Sequence, residues 1–174
     1  MIPQKMQQAF NDQIHAEIES AYLYLAMAGY FETLTLPGMA HWMEIQATEE
    51  MAHAMRFYRH ITEREGTIAL QALKAPKAKW TSPLQAWREA YKHEQYITGR
   101  IHALVDLAQK TGDHAAGPML QWFVSEQIEE EASASQIAGT LERLGDSGNG
   151  LVMLDRELAA RPMPAPSVVL APAE

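Results

Sequence analysis

The chain has 174 residues, 47% of them hydrophobic, which is the size and composition of one domain with a substantial core. The absence of cysteine excludes disulfide scaffolds, thiolate zinc sites and iron–sulfur clusters, and it fits a cytoplasmic location. A formal net charge of −8 argues against nucleic acid as a partner, and no signal sequence or run of membrane-spanning length is visible, so we expect a soluble protein with no membrane association.

Proline and glycine divide the first half of the chain into two long helices. Pro3 suits a first helical turn, and the break at 35–38 predicts a first helix over about residues 4–34. A second helix should run from about 38 to 65 and stop at Gly66. The stretch 67–81 shows little periodicity and is predicted to be a connection.

Similar signals predict two long helices and a short one in the second half. Ser82 and Pro83 suit the N-cap and first position of a third helix, which runs to about residue 110. A fourth helix should begin near Pro118 and end at Leu144, and a fifth is expected over about 151–160. Residues 1–160 then form one domain, and 161–174 form a tail rich in proline and alanine that is not expected to be helical.

The connection lengths predict an all-α four-helix bundle with one long crossover. Short turns make the first and second helices antiparallel, and likewise the third and fourth. The connection of about 16 residues can span about 53 Å when extended, which is enough to cross the full length of such a bundle. The second and third helices can therefore be parallel.

Each long helix carries polar residues in the middle of its apolar seam. The heptad-like seams, in chain order, are Phe10, Ile14, Glu17, Ala21, Tyr24, Ala28 and Phe31; Met39, Met43, Gln46, Glu50, His53 and Phe57; Trp87, Tyr91, Glu94, Thr98, Ile101, Val105 and Ala108; and Leu120, Phe123, Gln127, Glu130, Ala134, Ile137, Leu141 and Leu144. Reflection of Glu17 and Glu94 through the hairpin turns places them near the levels of Glu50 and Glu130. The polar residues are therefore expected to meet at one height.

Buried carboxylates without a cationic partner are costly, and a metal is the usual partner. Hard oxygen ligands with one imidazole suit iron or manganese. Taken singly, Glu17 can be a snorkelling seam glutamate, and Glu50 with His53 can be an exposed ion pair on one helix. Tyr24 alone is more simply a core tyrosine, and Glu49, Glu126 and Glu129 can be solvated helix-face charge. The coincidence of all four seams favours a buried site for two metal ions.

The chain resembles the bacterial non-haem ferritins over residues 1 to 160. The resemblance is carried by four segments, 13–17 (QIHAE), 47–53 (ATEEMAH), 91–95 (YKHEQ) and 121–131 (QWFVSEQIEEE). It implies a ferritin-like bundle. It also implies that Glu17, Glu50 and His53 bind one iron ion and that Glu50, Glu94 and Glu130 bind the second.

Further residues acquire roles only through this resemblance. Gln127 is expected beside the second iron, and Glu49, Glu126 and Glu129, with Glu130, match the third iron site of the family. Tyr24 matches its redox-active tyrosine, so the resemblance reverses the interpretation from pattern alone. The implied function is iron storage: the di-iron centre oxidises Fe²⁺ with dioxygen or peroxide, and Fe³⁺ is kept as mineral inside a homo-oligomeric cage of 24 subunits.

Three alternatives remain at this point. A bacterioferritin shares Glu-x-x-His and binds haem through a methionine at the position of Met51, but it needs a second such motif, and Gln127 to Glu130 contains no histidine. A di-iron oxidase or peroxidase similar to rubrerythrin would usually add a cysteine-ligated iron module, which this chain cannot form. The third alternative is a bundle without metal that serves as an interaction protein.

Overall fold

The computed structural model describes residues 1–164 and shows five α-helices. They are α1 (Gln4–Thr33), α2 (Pro37–Glu63), α3 (Pro83–Thr111), α4 (Gly117–Leu144) and α5 (Gly148–Leu158), with a short 3₁₀ turn (His114–Ala116) before α4. The four long helices confirm the predicted all-α bundle. Within the described chain, no helix is both long and apolar enough to cross a lipid bilayer.

Local chemistry sets the helix ends. The Ser82 hydroxyl accepts a hydrogen bond from the backbone N–H of Gln85 at 3.1 Å, as predicted for an N-cap, and Gly112 ends α3 in the left-handed conformation with φ of 67°. α5 begins three residues earlier than predicted because Ser147 caps it, accepting from the backbone N–H of Gly150. No apolar residue marks that first turn, so the seam pattern could not find it.

Side-chain contacts fix the directions of the helices. Tyr24 of α1 contacts Glu94 of α3. Phe31, later in α1, contacts Trp87, which is earlier in α3, so the two helices are antiparallel. Arg64, directly after α2, forms a bidentate pair with Asp113, two residues after the end of α3, and the shorter of its N–O distances is 2.6 Å. The ends of α2 and α3 therefore lie together, and these two helices are parallel, as the crossover length predicts.

The crossover, residues 64–82, is fastened to α1 at its beginning. Asn11 donates to the carbonyl of Thr67 at 3.0 Å and accepts from the backbone N–H of Ala69 at 2.7 Å. Residues 69–75 are then exposed, until Trp80 is buried against Tyr30 with ring centroids 5.2 Å apart. The middle of the crossover thus runs over the surface and leaves the bundle interior to the four helices.

The seams of α1, α2 and α4 are buried largely as predicted, while that of α3 is displaced by one position. In α3, Tyr91, Thr98 and Val105 are only half-buried, and the buried positions are instead Ala90, Ile97 and Leu104. The predicted spacing of four then three is here three then four, and both pass through Trp87, Glu94, Ile101 and Ala108. The error therefore left the one position that matters for the site, Glu94, unaffected.

Two hydrophobic clusters fill the bundle on either side of a polar layer. One contains Met39, Trp42 and Trp87, and the other contains Phe10, Phe57 and Phe123. Between them lie Glu17, Glu50, His53, Glu94 and Gln127, all of them nearly inaccessible to solvent. The polar residues in the middle of the four seams therefore meet at one height, as predicted.

Candidate metal centre

The four long helices each contribute a glutamate to one buried cluster. Glu17 comes from α1, Glu50 from α2, Glu94 from α3 and Glu130 from α4, and the first three are at most 2% exposed. His53 joins them one turn after Glu50 on the same face of α2, which is the i, i+3 spacing of neighbouring side chains on a helix.

Two groups of three ligands form within this cluster and share one residue. One oxygen or nitrogen each from Glu17, Glu50 and His53 lies within 4.8 Å of the others, and so does one oxygen each from Glu50, Glu94 and Glu130. Glu50 therefore faces both groups. Oxygen-rich sets with one imidazole have the donor chemistry that divalent iron or manganese prefers.

The cluster has an unsatisfied acceptor that a cation would satisfy. The Oε2 atom of Glu17 is buried and has no hydrogen-bond partner among the described residues, although its Oε1 accepts from Gln13 at 2.8 Å. Buried carboxylate oxygens without a partner are costly. The donor set and this orphaned atom both fit a metal ion at the centre.

Burial dominates the electrostatics of these acids. It raises the pKa of Glu17, and that of Glu50 and Glu130 further, with the neighbouring carboxylates adding to the effect at Glu50 and Glu130. Burial also raises the pKa of Glu94 to about 7. Without a cation, burial therefore favours the protonated forms of these acids, and a bound cation would displace the protons.

Three glutamines orient the carboxylates. Gln13 donates to Glu17, and Gln127 donates to Glu130 at 2.6 Å and to Glu94 at 3.2 Å. Gln46 donates to Glu50 at 2.9 Å and to Glu130 at 2.8 Å. Gln127 thus lies beside the carboxylates of the second group, and its place beside an iron ion stays a prediction.

Tyr24 lies against the centre. Its hydroxyl donates a hydrogen bond to Oε1 of Glu94, and its ring packs edge-on against His93 with centroids 6.1 Å apart. Burial and then the charge of Glu94 raise the pKa of Tyr24 well above its usual value, so the phenol keeps its proton. The ring is 1% exposed.

The residues of the predicted third site are less closely gathered. Glu129 is exposed, and Glu49 and Glu126 are half-buried. Among the described residues, no three of Glu49, Glu126, Glu129 and Glu130 bring ligand atoms within 4.8 Å of one another. Glu49 is instead paired with Arg161.

Two further residues of the centre were not assigned by the sequence analysis. Gln46 stood in the predicted seam without a role, although its position four residues before Glu50 on one helix face could have suggested contact. Arg161 reaches the centre from the residues after α5, and no pattern in the sequence connects the two. Its guanidinium donates to Oε1 of Gln46 from both Nη atoms, each at 3.1 Å.

Comparisons with known proteins show which family this chain is similar to. The model of the Ferritin family, a ferritin-like domain, matches residues 7–144. A bacterial non-heme ferritin of Bacteroides fragilis is 38% identical over 161 residues, covering 92% of this chain and 100% of the relative. The bacterial non-heme ferritin of Staphylococcus aureus USA300 is 34% identical, covering 92% of this chain and 97% of its own.

Two solved structures share the fold of this chain and nearly half of its residues. An open-pore ferritin from the hyperthermophilic archaeon Archaeoglobus fulgidus superposes with a TM-score of 0.92 at 46% identity, covering 93% of this chain and 100% of that one. A closed form of the same ferritin, engineered by site-directed mutagenesis, has a TM-score of 0.92 at 45% identity, covering 94% and 100%.

Proposed function

The chain belongs to the ferritin family of iron-storage proteins, and on this premise we propose that its buried centre is a di-iron ferroxidase. The observation that carries the proposal is the pair of three-residue groups that share Glu50. Two Fe²⁺ ions held by one common carboxylate can together give two electrons to dioxygen or peroxide. The resulting Fe³⁺ is the species that is stored.

The protein residues prepare the centre for these substrates. Glu17 with His53 offers ligands to one Fe²⁺, Glu94 with Glu130 offers them to the other, and Glu50 faces both. Because burial raises the pKa of these acids, Fe²⁺ binding releases the protons that they hold and lets the carboxylates ionise beside a positive charge. Gln46 and Gln127 keep the carboxylates in place through their donated hydrogen bonds.

Tyr24 is proposed to be the redox-active residue beside the iron. Its hydroxyl already donates to Glu94, so a tyrosine that gives one electron to the oxidant can pass its phenolic proton to that carboxylate. Because the pKa of Tyr24 is high, losing the electron and the proton together is more favourable than losing the proton first.

We also propose that Glu49, Glu126, Glu129 and Glu130 can form a third iron site, to which Glu49 contributes only when it is released from Arg161. Burial raises the pKa of Glu49, and the charge of Glu126 adds to this rise, so the two carboxylates lie close to each other. Storage also requires a closed particle, and we propose a homo-oligomer of 24 subunits located in the cytoplasm. An exposed apolar groove between α1 and α2, which includes Leu25 and Met51, supplies a surface for subunit contact.

The experiment that tests the ferroxidase is stopped-flow oxidation of Fe²⁺ by Glu50→Ala. Because Glu50 faces both ion sites, we expect the rate to fall by about 100-fold or more. Glu142→Ala is the matched control, since Glu142 is 63% exposed and pairs with Arg88 away from the centre. Unchanged oxidation by folded Glu50→Ala would refute the assignment.

A further inference from the structure

Arg161 is a half-buried cation at the edge of the centre, and contacts of both its side chain and its backbone hold it in place. Its guanidinium lies over the Trp42 ring at 4.1 Å from the centroid, and Nη1 donates to the Trp42 carbonyl at 3.2 Å. Its own carbonyl contacts Nε2 of His41 at 2.9 Å. Side chain and backbone are therefore both fixed against α2.

The fixed guanidinium makes two further side-chain contacts. It donates to Oε2 of Glu49, and it donates to the amide oxygen of Gln46. An amide whose oxygen faces Arg161 must turn its NH₂ toward Glu50 and Glu130, which is the orientation observed. Arg161 thus pairs with Glu49 and also sets the orientation of the Gln46 amide, which donates to two carboxylates of the centre.

The contact with Glu49 excludes another cation from the same place. A metal ion at Glu49 would have to share this carboxylate with Arg161, and the fixed positive charge of the guanidinium repels the ion. We propose that Arg161 is a tethered cation that competes with metal for Glu49, so that the segment following α5 limits how many ions each chain binds. This inference rests on the proposed di-iron function, because it concerns the ion count beyond that centre.

The competition is tested by titrating the assembled, metal-free protein with Co²⁺ under air, where Co²⁺ stays divalent, and counting bound ions by calorimetry and visible absorption. Arg161→Gln should bind one more Co²⁺ per chain than the wild type. The double variant Arg161→Gln/Glu49→Gln should return to the wild-type count, because Glu49 is the ligand that is released. Arg161→Lys should stay near the wild-type count, since it keeps the charge.

Arg88→Gln is the matched control, since it removes an arginine–glutamate pair of the same charge that is 57% exposed at Arg88. An equal count in Arg161→Gln and the wild type, with native circular dichroism and particle size in both, would overturn the competition. An additional ion that persists in the double variant would overturn it too. The number of ions bound by the wild type tests the ferroxidase proposal separately, because that proposal predicts two ions per chain at the buried centre.

Discussion

Among single residues, the buried glutamates make the stability of the metal-free protein depend on pH. Glu94 has its pKa raised to about 7, whereas an unfolded glutamate ionises near 4.5. The folded chain therefore binds more protons than the unfolded chain between these values. The stability associated with the protonated form is complete below about pH 4.5 and is lost as the pH rises through about 7.

Glu94→Gln is accordingly expected to stabilise the metal-free protein at pH 8 by about 1 to 3 kcal/mol, because the amide never has to ionise while buried. The gain should shrink toward zero near pH 5, where Glu94 is already neutral. Chemical denaturation of the chelator-treated protein at both pH values measures it. A gain that is equal at the two values, or larger at pH 5, would contradict the raised pKa.

Tyr24 permits a second test at this scale. Tyr24→Phe removes only the hydroxyl that donates to Glu94, so the ring still fills its place in the core. We expect Co²⁺ binding to be unchanged within about twofold, and repeated rounds of Fe²⁺ oxidation to slow by about tenfold. Stopped-flow mixing over successive additions separates the rounds. If every round proceeds at the wild-type rate, Tyr24 is only a core residue.

The sequence could predict the residues that lie on helix seams, but not those that arrive from elsewhere. Glu17, Glu50, Glu94 and Glu130 each interrupt an apolar pattern, and such interruptions are visible in sequence. Arg161 interrupts no pattern, because it follows the last helix and reaches the centre through the tertiary fold. The predicted character of the tail beyond Pro164 lies outside the described residues, and the division of the chain at residue 160 stays a prediction.

Among the elements, the docking of α5 on α2 depends on the absence of a side chain at Gly38. A Cβ there would lie 1.7 Å from the backbone oxygen of Asp155. The carboxylate of Asp155 in turn accepts from the backbone N–H of Met39 at 2.8 Å and so satisfies the first turn of α2. The two helices therefore meet backbone to backbone.

Gly38→Ala should push α5 away and lower the free energy of unfolding by about 1 to 3 kcal/mol or more. Gly99→Ala is the control, because nothing lies within 4 Å of its added Cβ and alanine favours the helix by about 0.5 to 1 kcal/mol. Thermal unfolding of both variants should shift in opposite directions. A Gly38→Ala protein as stable as Gly99→Ala would show that the contact is readily relieved.

The limits of the four long helices were predictable within a few residues because proline, glycine and serine mark them. The register of α3 was not. Tyr91, Thr98 and Val105 all carry apolar groups that could face a core. Ala90, Ile97 and Leu104 do so as well, and the sequence therefore permits two seams through Glu94. Contact with α1 and α4 decides between them, and that contact is tertiary.

For the whole molecule, the apolar groove on α1 and α2 predicts association. Tyr22, Leu25, Met51 and Leu73 line it and are 40% to 52% exposed. Apolar residues grouped in this way usually mark a protein interface. The assembly itself could not be derived from the sequence of one chain, since subunit geometry depends on surfaces that no periodicity describes.

Leu25→Glu should therefore break the particle into smaller species while each chain stays helical, because a buried unpaired charge costs more than subunit contact returns. Native mass measurement checks this: the wild type should weigh about 24 times the 19.5 kDa chain. Ile128→Glu serves for comparison, as Ile128 is 67% exposed on α4, outside the groove. Equal disruption by both would show that the groove is not the decisive contact.

The exposed middle of the crossover is a place where cleavage would separate the ligands of the centre into two peptides. Residues 69–75 join two helical hairpins, and the first supplies Glu17, Glu50 and His53 while the second supplies Glu94 and Glu130. If a protease cuts this segment in a dissociated chain, where Leu73 is not covered by subunit contact, a metal ion bound by Glu50, Glu94 and Glu130 becomes a non-covalent crosslink between two separate peptides. A chelator should then lower the resistance to denaturant of the cut chain more than that of the intact chain, because only the cut chain depends on the ion to link its two hairpins.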